Sequence, residues 1–161
     1  MDAKQLERLI QTVIAVMRLY SVEAIDLLML TAAQESHLGK YIQQLGNGPA
    51  RGIFQMEPKT LQDLYDNFLK YNKQKADVLQ SFRTSCSLET DLTGNLLFQI
   101  AAARLQYYRK PEKLPAKKDF DDGFEYITDL AKCWKAHWNT KLGKGTVQEA
   151  VQNYYKYVIN E

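Results

Sequence analysis

The chain has 161 residues, 45% of them hydrophobic and 25% charged, which suits one compact domain with a buried core and argues against disorder. Lys and Arg total 21 against 19 Asp and Glu, so the net charge of +2 is too small to indicate a nucleic-acid partner. Two cysteines, Cys86 and Cys133, stand outside any C-x-x-C pair, and His37 and His137 are the only histidines. That inventory argues against a zinc site of the usual ligand count, and no metal or cofactor is expected. One disulfide and two free thiols both remain open.

Charges at Asp2, Lys4, Glu7, Arg8 and Arg18 interrupt the N-terminal stretch, so it does not read as a signal peptide. No stretch reaches the roughly 18 apolar residues of a membrane helix. The expectation is a soluble monomer without stable membrane insertion.

Leu6, Leu9, Ile10, Val13, Ile14 and Met17 place one apolar stripe on a first helix. Ser21 caps a second, with Glu23 in its first turn and an apolar face through Ala24, Leu27, Leu28 and Thr31. From Leu38 to Gln55 the chain carries Gly39, Gly46, Gly48, Pro49 and Gly52, which predicts an irregular loop. Pro58 opens a third helix, with Leu61, Leu64, Tyr65, Phe68 and Leu69 inward. A short polar helix holds Val78, Leu79 and Phe82.

Asn95 to Tyr108 has helical spacing through Leu97, Ile100, Ala101 and Leu105. Pro111 and Pro115 then break the chain in a basic loop. Asp122 to Trp138 carries Ile127, Ala131, Trp134 and Trp138 on one side. Gly143 and Gly145 mark a further loop, and Thr146 with Glu149 forms a capping box for the last helix. No stretch alternates with the period of a strand. The prediction is all-α: one domain spanning 1–161, about seven helices, and a Gly-rich loop after the second.

Glu35 departs from this pattern. It lies one turn beyond Thr31 on the apolar face of the second helix, near its C-terminal end. Desolvation and the negative end of the helix dipole both raise the pKa of a carboxyl group there. An acid kept protonated near neutral pH can protonate a leaving oxygen. A buried structural carboxylate is the competing reading of the periodicity alone.

The run Ala33-Gln34-Glu35-Ser36, followed by Gly52-Ile53-Phe54-Gln55-Met56-Glu57-Pro58, resembles the lytic transglycosylases of the goose-type lysozyme superfamily. That family has a Glu-Ser pair at a helix end and a Gly-x-x-Gln word about twenty residues later, before a proline that opens the next helix. Trp138-Asn139 is similar to its aromatic-Asn pair, with Trp for the usual Tyr. Asn95 fits the start of a fourth word, but the Tyr expected after it is absent, since the stretch reads Ala101-Ala102-Ala103. The segment Asn139-Thr140 leading into Leu142-Gly143-Lys144-Gly145-Thr146 resembles small phage-encoded members.

The resemblance implies a lysozyme-like helical fold and cleavage of the MurNAc-GlcNAc bond of peptidoglycan glycan strands. Glu35 would be acid, then base. Ser36 would support its carboxylate or touch substrate, and Gln55 would bind the sugar or orient Glu35. Phe54 and Met56 would pack beneath the groove, Trp138 would line it, and Asn139 would position an N-acetyl group or its own loop. No second carboxylate acts in this family; the muramyl 6-hydroxyl attacks and leaves a 1,6-anhydro end. Hydrolysis would need a second acid; Asp91, Asp119, Asp121 and Asp122 are candidates, but none lies in a catalytic word and surface exposure is the favoured explanation of all four.

Trp134 is expected in the core beside Trp138 in the groove. His37 reads as a loop-start histidine, Arg51 as either a substrate contact or a solvated loop residue, and the Tyr154–Tyr157 cluster as packing. Three functions follow: cleavage of the MurNAc-GlcNAc bond, a non-catalytic glycan-binding or virion module, and cleavage of chitin or chitosan. The site of action would be the bacterial cell wall, with the chain as a phage endolysin, a virion-borne enzyme or a module of a larger protein.

Overall fold

A computed structural model describes residues 1–117, 123–139 and 143–160. Among these are eight α-helices: α1 (Ala3–Val16), α2 (Val22–Ser36), α3 (Pro58–Asn67), α4 (Lys73–Ser81), α5 (Leu88–Gly94), α6 (Leu96–Tyr108), α7 (Phe124–Trp134) and α8 (Val147–Tyr154). No strand occurs among the described residues; pairing is limited to isolated bridges joining Arg51 to Gln43 and to Met56. The all-α expectation holds, with one helix more than the seven expected.

The helix ends follow local chemistry. Ser21 Oγ accepts from Ala24 N at 3.1 Å, and Asn95 Oδ1 accepts from Phe98 N at 3.1 Å. Thr146 and Glu149 form the reciprocal capping box of α8, and Pro58 sits in the first turn of α3.

Helix α2 is the centre of the molecule. It packs against α1, α6, α7 and α8. Ala24, Ile25 and the whole run from Leu27 to Ala33 are buried, so α2 is apolar all round rather than along one face. Helix α6 is enclosed in the same way, from Phe98 to Tyr107. The spacing alone marked one apolar face on α2 and helical periodicity on α6; their burial on several sides explains why apolar residues also fill positions that a one-sided stripe leaves polar. Glu35 therefore ends a core helix.

Helix α5, absent from the sequence reading, spans only seven residues, too few for periodicity to register. Asp91 holds it. Its carboxylate is buried, accepts from Arg83 Nε at 3.0 Å and Thr84 N at 3.1 Å, and also accepts from Asn95 Nδ2 at 3.2 Å. Burial pushes the Asp91 pKa up, but these hydrogen bonds outweigh it and hold the group below the usual carboxylate value. This candidate second acid is thus a structural knot joining α5, the turn before it and the cap of α6. Asp119, Asp121 and Asp122 lie outside the described residues. Both cysteines are free thiols, Cys86 exposed and Cys133 half-buried.

Truncating Asp91 leaves a guanidinium and backbone N–H groups without their acceptor. Asp91→Ala is expected to cost about 3 kcal/mol of stability, read as a lowered denaturant midpoint with an unchanged slope.

Candidate functional site

The last turn of α2 ends in left-handed backbone. His37 caps the helix at φ 53°, and Leu38 follows at φ 56°. Leu38 N donates to Ala32 O at 3.0 Å and His37 N to Ala33 O at 3.2 Å, which closes the helix with a paired C-terminal turn. Buried Leu38 anchors that turn. The chain then swings away from the helix axis and leaves the Glu35 carboxyl beside a cleft.

That cleft has a volume of about 800 Å³. Glu35, Gln55, Met56, Trp138 and Asn139 all line it, so five of the residues singled out in the sequence converge on one cavity. Tyr41, Gln44, Leu45, Glu57 and Gln106 line it too. The loop after α2 thus supplies one wall, as its glycine content suggested.

Glu35 is half-buried, and Trp134 Nε1 donates a hydrogen bond to its Oε1 at 2.9 Å. Desolvation raises the carboxyl pKa and the indole hydrogen bond opposes it; the balance stands at about 7. The group is poised between acid and base at neutral pH, the condition under which a single carboxyl can do both. Trp134 is fully buried, as expected, but it is also the residue that orients Glu35. Orienting Glu35 was one of the two roles that the resemblance implied for Gln55, the other being to bind the sugar.

Gln55 has another occupation. Its backbone is left-handed at φ 47°, and its Nε2 donates to Gly52 O at 2.7 Å, bracing its own turn. Gly52 itself has φ 74°, and a Cβ there would run into the Leu92 carbonyl and the Gln99 side chain. Gln99 Oε1 accepts from Ile53 N at 2.9 Å. The Gly-x-x-Gln word is therefore a tight turn pressed onto α6.

Ser36 also differs from expectation. It is fully buried and does not line the cleft. Its Oγ donates to Ile53 O at 2.6 Å and accepts from Gly39 N at 2.8 Å, so it ties α2 to the same turn instead of meeting substrate or the Glu35 carboxylate. Phe54 is likewise a core residue, 2% exposed, tilted against Trp138 with ring centroids 6.4 Å apart. It supports the groove from below and does not line it.

After Trp134 the helix widens into a π turn, Lys135–Asn139. Trp138 emerges from it half-buried and stacks on Tyr107 at 5.3 Å and 28°. Tyr107 is buried and shares a 2.8 Å hydrogen bond with Thr31, one turn before Glu35. Lys135 Nζ donates to Asn139 Oδ1 at 2.6 Å and Gly143 O at 2.8 Å. Lys135 thus bridges Asn139 to Gly143, while Asn139 keeps its place on the cleft wall. Gly145 presses that loop against Trp134: a Cβ there would lie 2.7 Å from the indole ring.

Gln106 was missed by the sequence reading. It is 6% exposed, and its Oε1 has no hydrogen-bond partner among the described residues. A signal existed, since Gln99 and Gln106 stand seven apart and so share a face, in a helix whose only charged residue is Arg104. Arg51 is anchored by Glu89 at 3.0 Å and by the Gly48 carbonyl at 2.8 Å, which makes it a loop brace. His37 is half-buried and stacked on Tyr157 at 4.6 Å. No group of His, Cys, Asp and Glu among the described residues could hold a metal ion, and no helix among them is long and apolar enough to cross a membrane.

No family model, curated protein or solved structure matches this chain.

Because the Glu35 pKa is raised on folding, its neutral form is favoured in the folded state. The stability it confers is fully present below the unfolded value of 4.5 and is lost as pH rises through about 7. Glu35→Gln removes that loss. The variant is expected to gain stability over the wild type between pH 5 and pH 8, by up to about 3 kcal/mol, measured by denaturation at both values.

Proposed function

We propose that this protein cleaves the MurNAc-GlcNAc bond of peptidoglycan glycan strands, with Glu35 as the single general acid and base. The observation that carries this reading is a carboxyl group poised at about 7, hydrogen-bonded to a buried indole and open to a cleft about 800 Å³ in volume. A groove of that size, floored by Trp138 and Met56 and edged by amides, matches a sugar strand, which offers apolar C–H faces and polar rims. The resemblance of the Glu35-Ser36, Gly52-to-Gln55 and Trp138-Asn139 words to lytic transglycosylases supports the same reaction.

In that reaction the Glu35 carboxylic acid gives its proton to the glycosidic oxygen. The muramyl C1–O bond breaks, and its electron pair leaves with the departing sugar. The Glu35 carboxylate then takes the proton from the muramyl 6-hydroxyl, whose oxygen bonds to C1. Water takes no part, and Glu35 returns to its acid form. Trp134 supports the carboxylate half of this cycle, since its N–H donates to an ionised oxygen more strongly than to a neutral one.

One observation favours a second reading. Glu57 also lines the cleft, paired with Lys59 at 2.9 Å, and a second carboxylate is what hydrolysis uses to direct water. Glu57 was not among the acids that the sequence offered as a second carboxylate; it stands at the cap position before Pro58, with no capping hydrogen bond from its side chain.

Digestion of purified peptidoglycan, with the products weighed by mass spectrometry, separates these outcomes. Wild type is expected to release 1,6-anhydromuramyl ends, and Glu35→Gln to be slower by at least about 100-fold. Reducing ends that also depend on Glu57 would establish hydrolysis. A folded wild type that binds the wall and releases nothing would contradict the enzyme reading and leave a glycan-binding module.

A further inference from the structure

Behind the loop at Gly145 lies a second cavity of about 410 Å³. It shares three wall residues with the groove, Gln34, Lys144 and Gly145, so the two spaces adjoin. Its remaining walls are His37, Glu149, Gln152 and Asn153. No apolar side chain among the described residues lines it, in contrast to the groove with its Met56, Leu45 and Trp138.

The polar groups there are set in place. Asn153 Nδ2 donates to Gln34 Oε1 at 2.7 Å, joining α2 to α8 across the cavity wall. The Glu149 carboxylate is engaged by Thr146, accepting from its backbone N at 2.8 Å and its Oγ1 at 3.0 Å. Lys144 is exposed at the junction of the two spaces and has no ion-pair partner among the described residues.

We infer that this second cavity seats the peptide branch of the substrate. The inference rests on the reading of the groove as a glycan-strand site. Muramyl sugars carry a short peptide through their lactyl group, so a strand lying past Glu35 must place such branches beside the groove. Side-chain amides both donate and accept, which suits the N–H and C=O groups of a peptide backbone. Lys144 stands where a peptide carboxylate would meet a cation before entering the cavity. The ligand class is a short peptide with a free carboxylate, attached to the sugar strand.

The test compares intact peptidoglycan with glycan strands stripped of peptide by an amidase. Gln152 lies in the second cavity and not in the groove, and Gln152→Glu adds a carboxylate facing the branch. The wild type is expected to show a lower KM on the intact substrate than on stripped strands. Gln152→Glu is expected to raise KM on intact substrate by about tenfold and to leave stripped strands unaffected. Equal KM on both substrates for wild type, or an equal loss on both for the variant, would overturn the inference.

A binding measurement keeps the result separate from turnover. Muramyl dipeptide titrated into the labelled protein should shift the Gln152 and Asn153 side-chain amide signals, and Gln152→Glu should weaken that binding. If the wild type cleaves neither substrate, the glycan-cleavage reading fails and this titration alone decides. Unmoved Gln152 and Asn153 signals at saturating probe would overturn the peptide site.

Discussion

The hydrogen bond from Trp134 to Glu35 joins the ends of two helices whose sequences lie 99 residues apart, and the site depends on it. Helix α2 comes out of the core and delivers a half-buried carboxyl group to the cleft wall, where desolvation raises its pKa. The indole N–H returns part of the stabilisation that ionisation loses, and the group comes to rest at about 7. Trp134 can do this because it is fixed: its ring is fully buried, and Gly145 packs so close that a methyl group would not fit between loop and indole.

The groove is assembled around that pair by side chains whose partners are mostly backbone. Ser36 and Gln99 hold opposite sides of Ile53, through its carbonyl and its N–H, so α2 and α6 together clamp the turn that bears Gln55 and Met56. Lys135 holds Asn139 and Gly143 in the facing loop. Tyr107 links Thr31, one turn before Glu35, to the stacked ring of Trp138. The buried members of this set, Ser36, Gln99, Thr31 and Tyr107, leave few alternatives for the segments they hold, since each would forfeit a hydrogen bond in a place water does not reach.

Much of the fold was legible because it is written in local chemistry. Ser21, Pro58, Asn95 and the Thr146–Glu149 box each act within one turn of where they stand, so the sequence alone locates them. Glu35 was legible for a related reason, as an acid at a helical apolar position. What lay beyond reach was direction and distance. Ser36 and Phe54 sit in the right words, but neighbouring residues point to different sides, and both turn inward. Trp134 was readable as core, yet not as the partner of a carboxyl contributed by another helix. Helix α5 is held by Asp91, whose ligands come from the turn before it and the cap after it, and no periodicity records such a knot. Tyr41 and Gln44 reach the groove from irregular backbone, for which no spacing rule applies.

The central claim is that Glu35 holds its proton near neutral pH because it is buried against Trp134. Following the Glu35 side-chain carboxyl carbon by NMR through a pH titration, with Glu35→Gln to assign the signal, measures this directly. A midpoint close to 7 is the predicted result. A midpoint at the ordinary value of 4.5 would contradict the account, since a carboxyl group ionised throughout the neutral range could not act as the acid proposed for it.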